Sequence, residues 1–357
     1  MRNVLFALCA VASCKGASRS SEPATTTPPA TEAGTPTVAT ASADAATSTA
    51  TPVAIPGGEH GIGFDDLRFA RGIGRVVAPA GGTGTIALID PATRALTTIA
   101  GFGATTGTTG HEDGSTSADE SAGHLYAIDR TKLEVVLIDE KTAKIVGSAK
   151  LASSPDYVRW VEATHELWVT QPDEYRIEVF TLTGTTPKHA AFIAVTGGPE
   201  SLVIDGKRAF THLWKGTTVV LDVTTRKQTA SWPNGCTGSR GIALDGAHNI
   251  LFVGCGEGRA VALDASSGKQ LDVIVVGAGV DIIDFNPKLS HLYVPSAKTA
   301  TFSIIGVAAG GKFSLLGTAE AALGAHCVTA DDRNHAWVCD PKAGRLLEIE
   351  DTYPASL

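Results

Sequence analysis

A short pattern of two strand-like runs returns seven times along residues 56–357, at intervals of 41–49 residues. The first run of each unit begins at Arg75, His124, Glu166, Ala209, Ile250, His291 or His335, and reads for example Glu166-Leu167-Trp168-Val169, Ile250-Leu251-Phe252-Val253 or His291-Leu292-Tyr293-Val294. A turn separates it from the second run, as in Val135-Val136-Leu137-Ile138-Asp139 or Ala260-Val261-Ala262-Leu263-Asp264. Short β-branched and aromatic runs bounded by turn residues are strands, and no stretch carries the apolar stripe of an amphipathic helix. A repeat of this length cannot bury its apolar face alone, so neighbouring units must stack. The pattern predicts an all-β chain: a seven-bladed β-propeller with four-stranded antiparallel blades. The last unit runs out after its third strand, near Glu350. A strand from the N-terminal side, around Pro52 to Gly58, is expected to complete that blade and close the ring, because an open ring would leave an unpaired edge.

The residues before the repeat divide in two. Arg2 and the apolar run Val4 to Ala12 form the charged and hydrophobic parts of an export signal, too short to span a bilayer. The run leads into Val11-Ala12-Ser13-Cys14, which resembles a bacterial lipobox. That resemblance implies a signal peptide over residues 1–14, lipidation of Cys14 and, with Lys15 next, delivery to the outer membrane. An ordinary secretory signal cleaved nearby is the rival reading. Residues 15–55 are Ala, Thr, Ser and Pro with almost no large apolar side chains. Such a stretch cannot offset its ordering entropy and reads as a disordered tether, leaving residues 56–357 as the folded domain. The net charge of −8 and the lack of basic clusters exclude a nucleic-acid partner.

Of six cysteines, Cys9 lies in the signal and Cys14 in the lipobox. Cys236, Cys255, Cys327 and Cys339 remain. In an exported chain an even number reads as disulfides. The first of each couple precedes or opens an inner strand and the second ends its antiparallel partner, which predicts Cys236–Cys255 and Cys327–Cys339 bridges. A Cys/His metal cluster with His326 is the rival.

In a propeller the innermost strand of each blade starts at the channel mouth. Aligning the units places one ionisable residue there in every blade: Asp65, Asp113, Asp156, Glu200, Arg240, Asp281 and His326. Turn formation accounts for the aspartates beside Gly or Pro, but less well for Glu200, Arg240 and His326. Five carboxylates round a narrow mouth repel one another unless a cation compensates them. Arg240 and His326 supply part of this. A cationic ligand, a peptide amine or a metal would supply the rest: Ca²⁺ for an all-oxygen ring, or another divalent cation on Glu200, Asp281 and His326. The loop His111-Glu112-Asp113, with Asp119 and Glu120, forms a further acidic segment that reads as solvated.

The "LYV" runs, the "V-x-L-D" runs and the turn Asp264-Ala265-Ser266-Ser267-Gly268-Lys269 resemble the YVTN/NHL-like propeller superfamily of secreted bacterial proteins. The resemblance covers the whole repeat and marks the fold, not an activity. Gly198-Pro199-Glu200 is similar to a ligand segment of metal-dependent lactonase propellers. That family's Asn ligands are replaced here by Arg240, Asp281 and His326, so the likeness fails at most positions. No G-x-S-x-G elbow, P-loop or dinucleotide fingerprint occurs. The aromatics Trp160, Trp168, Tyr175, Trp214, Trp232 and Trp337 fall mostly on strand positions and are expected to pack between blades. The sequence thus points to an envelope-anchored, monomeric binding or scaffold propeller that takes a ligand or partner protein at its channel mouth. A metal-dependent hydrolase or lactonase in the same funnel is the alternative, and a docking partner for a haem or quinone protein a third.

Overall fold

The computed structural model describes residues 49–105, 110–121 and 123–356. Seven four-stranded sheets account for all of its strands. Blades 1 to 6 occupy residues 68–104, 115–150, 158–194, 203–233, 239–275 and 284–320, each a meander of consecutive antiparallel strands. Every expected first and second run is a strand, forming the second and third strands of its blade. Among the described residues no helix is long and apolar enough to cross a membrane. The expected lipidation site Cys14, the signal and most of the tether lie outside the described residues.

The same local chemistry builds the hairpin between third and fourth strands in several blades. Asp139, Asp222 and Asp264 end the third strand, and Asp90 directly follows it. Each carboxylate accepts the backbone N–H three residues on, at 3.0, 2.8, 2.6 and 2.8 Å. One residue later Arg94, Ala143, Arg226 or Gly268 takes a left-handed conformation. This side-chain turn fixes register before any long-range contact forms. The strands then pack face to face through buried Leu, Ile, Val and aromatic side chains. Trp168 and Trp337 are fully buried, and their indole N–H groups donate to Glu166 and Asp331 at 3.0 and 2.9 Å.

Blade 7 joins the two ends of the chain. Its inner strands are Val328–Ala330, His335–Asp340 and Arg345–Glu350, and its outer strand is Ala50–Ala54. Ala50 pairs with Ile349 and Ala54 with Arg345. The closing strand begins two residues before the expected Pro52 and ends at Ala54, so the fold takes in residues that composition assigned to the tether. Pro52 is tolerated because this is an edge strand, where a missing N–H costs no ladder bond. The seam continues through Ile55 N–H to Gly344 O at 3.1 Å and Ile62 N–H to Pro341 O at 2.8 Å. Gly344, at φ +57°, lies so close to Gly58 that a Cβ there would meet the Gly58 carbonyl at 2.0 Å. Past the last strand, buried Asp351 accepts hydrogen bonds from His291 Nδ1 (2.6 Å) and Tyr293 Oη (2.7 Å), tying the C-terminal residues to blade 6.

Pairing of the N-terminal strand should therefore be required for full stability. A chain beginning at Pro56 is expected to unfold at least roughly 5 °C lower by calorimetry than one beginning at Ala45.

Candidate functional site

The residue chosen in each blade lies just before, or within, its innermost strand. Asp65 precedes Arg68–Ala70, Asp156 precedes Val158–Val161, and Glu200 precedes Val203–Asp205. Arg240 is the second residue of Ser239–Asp245, Asp281 precedes Asp284–Asn286, and His326 precedes Val328–Ala330. The fold turns these sequence neighbours of inner strands into neighbours in space. Asp65, Asp156, Glu200, Arg240 and Asp281 line one cavity of about 240 Å³. A second, wider opening of about 530 Å³ shares Arg240 and Asp281 and reaches His326.

Asp113 does not line either space. It is placed in the loop, where Thr131 Oγ1 donates to its carboxylate at 3.4 Å. Its neighbours His111 and Glu112 take the blade 2 place at the mouth. Asp119 and Glu120, expected in a solvated loop, belong to the strand Ser115–Ser121. There Asp119 pairs with Arg68 at 3.0 Å, and Glu120 accepts the Gly72 N–H at 2.7 Å.

Sequence reasoning missed the cation that holds the mouth together. Arg130 follows the second strand of blade 2, away from the aligned position. Its guanidinium donates to Asp65 at 3.0 Å, to Thr116 Oγ1 at 2.9 Å, and to Asp156. Burial disfavours the Arg130 charge, but Asp156 and Asp65 outweigh it and hold the group more basic than usual. On the opposite side Arg240 donates to Glu200 at 3.1 Å and lies over the Trp214 ring at 5.5 Å.

Two guanidiniums do not neutralise the carboxylates. Burial, then the charges of Asp156 and Asp281, push Glu200 up to about 8, against the smaller pull of Arg240. Burial pushes Asp156 up to about 6, with Arg130 opposing and Asp281 adding to the rise. Asp65 is raised well above the ordinary range, chiefly by burial and then by Asp156. His111 is lowered by burial and then by Arg130. Water is largely withdrawn from these groups, so each carboxylate feels its neighbours strongly.

One step further along the channel the chemistry changes. Arg159 of blade 3 makes a two-pronged pair with Asp66 of the blade 1 lead-in, at 2.6 and 3.0 Å. It also donates to the Leu202 carbonyl of blade 4 at 3.0 Å, while Ser117 Oγ of blade 2 donates to Asp66 at 2.7 Å. Both charged groups are buried. The guanidinium thus links blades 1, 3 and 4 in one buried layer next to the mouth, with carboxylate and carbonyl acceptors engaged.

Glu200, Asp281 and His326 do not bring three ligand atoms within 4.8 Å of one another, so the expected metal set does not converge. His326 is occupied otherwise: its ring nitrogens lie 2.7 Å from Gly324 O and 2.9 Å from Phe64 O, bolting the blade 7 lead-in to that of blade 1. The cysteine pairs stand as expected, with Cα–Cα distances of 5.3 Å for Cys236–Cys255 and 5.5 Å for Cys327–Cys339. They stiffen the lead-ins that carry Arg240 and His326. Trp168 and Trp337 pack inside, and Trp160 stacks on Tyr126 at 5.2 Å. Tyr175 and Trp214 do not follow the expected packing: they are 58% and 48% exposed.

Fold and site together define a seven-bladed β-propeller with a charged funnel at its channel mouth. The chain is similar in structure to a chain of the "Mitotic Checkpoint Complex" (TM-score 0.70, 12% identity, covering 93% of this chain and 99% of that one). It is also similar to Kuenenia stuttgartiensis hydrazine synthase (0.67, 12%, 82% and 96%) and to the Myceliophteria thermophila Cps50 (Swd1) β-propeller domain (0.66, 14%, 82% and 98%). The sequence matches no protein-family model and no curated protein. At such low identities the likeness is one of fold.

Two substitutions separate the layers. Arg159→Met leaves Asp66 buried and uncompensated, and should cost about 3–5 kcal/mol in urea unfolding. Glu200 behaves oppositely. Because its carboxyl is raised to about 8, the stability it contributes in acid is lost as pH climbs from the ordinary carboxylate range through about 8. Glu200→Gln should therefore match the parent in thermal unfolding at pH 5 and exceed it at pH 9.

Proposed function

We propose that this chain is an envelope-anchored, extracytoplasmic propeller of the YVTN/NHL-like kind that recognises a partner protein by seating one of its ammonium groups in the funnel. The observation that carries this reading is the charge balance at the mouth. Asp65, Asp156, Glu200 and Asp281 converge there against Arg130 and Arg240, with Glu112 at the rim. The site is incomplete without added positive charge, and a compact ammonium is the group that such a desolvated carboxylate pocket accepts best.

The use of a propeller as a rigid platform supports a protein partner, and one structural neighbour is a chain of a named multiprotein complex. Anchoring rests on the sequence: the lipobox-like Val11-Ala12-Ser13-Cys14 and the Ala/Thr/Ser/Pro segment after it. A lipid on Cys14 would hold the domain at the membrane, with the tether letting the funnel reach its partner.

The test of the funnel is calorimetric titration with N-acetyl-lysine amide, whose one titratable group is the side-chain ammonium. Raising the pH from 6 to 9 ionises Asp156 and Glu200, raised to about 6 and about 8, while the lysine side chain stays protonated. Affinity should thus rise roughly tenfold or more over that interval, about 1.4 kcal/mol per decade. Glu200→Gln should flatten the rise. Affinity that is flat in the parent, or that falls with pH, would remove the reading.

A further inference from the structure

The funnel adjoins a cleft of about 630 Å³ between blades 3 and 4, with Pro172, Asp173 and Trp214 bordering both spaces. Its walls are Tyr175 and Leu213 together with Trp214, its floor is the pair Gly197–Gly198, and Asp173 and Lys215, of opposite charge, also line it. Three features set it apart from ordinary exposed apolar surface.

The first is how Tyr175 is displayed. It stands at the turn between the second and third strands in a left-handed conformation, φ +53°, closed by its N–H to Pro172 O at 3.0 Å. At the corresponding turns blades 4, 5 and 7 use Gly216, Gly258 and Gly344, blade 6 uses Ala300, and blade 2 uses Leu133, the other bulky residue in this conformation. A bulky residue costs free energy here that glycine avoids, yet the ring is among the most exposed large side chains of the described residues. The second is the floor. A Cβ on Gly198 would meet Pro172 O at 2.7 Å, and one on Gly197 would meet the Leu213 side chain at 3.0 Å. Both glycines have positive φ, and their bareness keeps the cleft open. The third is Trp214, whose ring carries Arg240 of the funnel on one side and remains half exposed beside the cleft.

We infer that the cleft seats a bulky apolar side chain of the same partner segment whose lysine enters the funnel, so that the molecule reads a lysine-plus-aromatic pair. This rests on the funnel reading above. Charge selects a polypeptide over a membrane as occupant: the aromatic rings adjoin an acidic mouth, which anionic headgroups would avoid, whereas a basic–apolar segment matches both halves. Two aromatic walls over a bare glycine floor suit a flat or branched apolar side chain.

The experiment compares three capped tetrapeptides by calorimetry at pH 8: Gly-Lys-Phe-Gly, Gly-Lys-Ala-Gly, and a Gly-norleucine-Phe-Gly that lacks the charge. The Lys-Phe peptide should bind at least tenfold more tightly than either of the others. Tyr175→Gly, which suits the left-handed turn and should unfold no earlier than the parent, should reduce Lys-Phe affinity to that of Lys-Ala and leave Lys-Ala binding unchanged. Equal binding of Lys-Phe and Lys-Ala peptides, both weakened by Glu200→Gln, would overturn the cleft and spare the funnel. Failure of the Lys-Ala peptide to bind would instead overturn the funnel, and the paired reading with it. Lys-Phe binding that survives Glu200→Gln undiminished would overturn the pairing of the two sites. Capture by phosphatidylglycerol vesicles that Tyr175→Gly abolishes would assign the aromatics to a lipid surface and overturn the polypeptide.

Discussion

Everything at the mouth depends on pairing between the first and last strands of the chain. Ala50–Ala54 zips onto Arg345–Glu350 and converts a row of sheets into a ring. Only in a ring can His326 bond to the Phe64 carbonyl, 262 residues away in sequence. Only there do Asp65 and Asp281 come near enough for each to raise the energy of the other's charge. Five backbone-paired residues at an edge therefore hold in place an electrostatic arrangement drawn from the whole domain. The seam is reinforced where backbone meets backbone, at Gly58 and Gly344, and again by the Asp351 contacts on blade 6.

Within that ring the two charged layers are balanced differently. The Asp66–Arg159 layer is saturated: the guanidinium has its carboxylate and carbonyl acceptors, and the carboxylate has its hydroxyl donor. Such a set is costly to disrupt by halves and rigid when whole. The mouth above it is left short of positive charge. Burial that would be neutralised in an ordinary core is retained here at Glu200 and Asp156, whose acidity is weakened as a result. The mouth thus keeps a local instability that an added cation, as in the function proposed above, would relieve.

The strands were legible because their signal is local. Alternation, β-branching and the Asp-anchored turn at Asp90, Asp139, Asp222 and Asp264 are all read within a few residues. Six of the ring residues were placed near the mouth for the same reason, since each lies within three residues of the start of its inner strand. Asp113 also sits two residues before its inner strand, but that strand opens on Ser115-Thr116-Ser117 with no apolar run to mark it, and the mouth is lined instead by His111 and Glu112. Arg130 and Arg159 stayed hidden because their partners come from other blades: nothing near Arg130 in the chain announces Asp65 or Asp156. Strand alternation also gives no exposure to residues in turns, which is why Tyr175 and Trp214 were grouped with Trp168 and Trp337. The metal set looked plausible from residue type alone. His326 has the right nitrogens, but each lies beside a backbone carbonyl, Gly324 O or Phe64 O, and away from the carboxylates.

The Arg159 guanidinium binds three sheets in one buried clasp: its own in blade 3, the blade 1 lead-in through Asp66, and blade 4 through the Leu202 carbonyl. Moving any of these sheets outward would strip a desolvated charge of its partner, at a cost of about 3–5 kcal/mol. The spacing of the carboxylates at the mouth is therefore set by a neighbouring layer that does not itself belong to it.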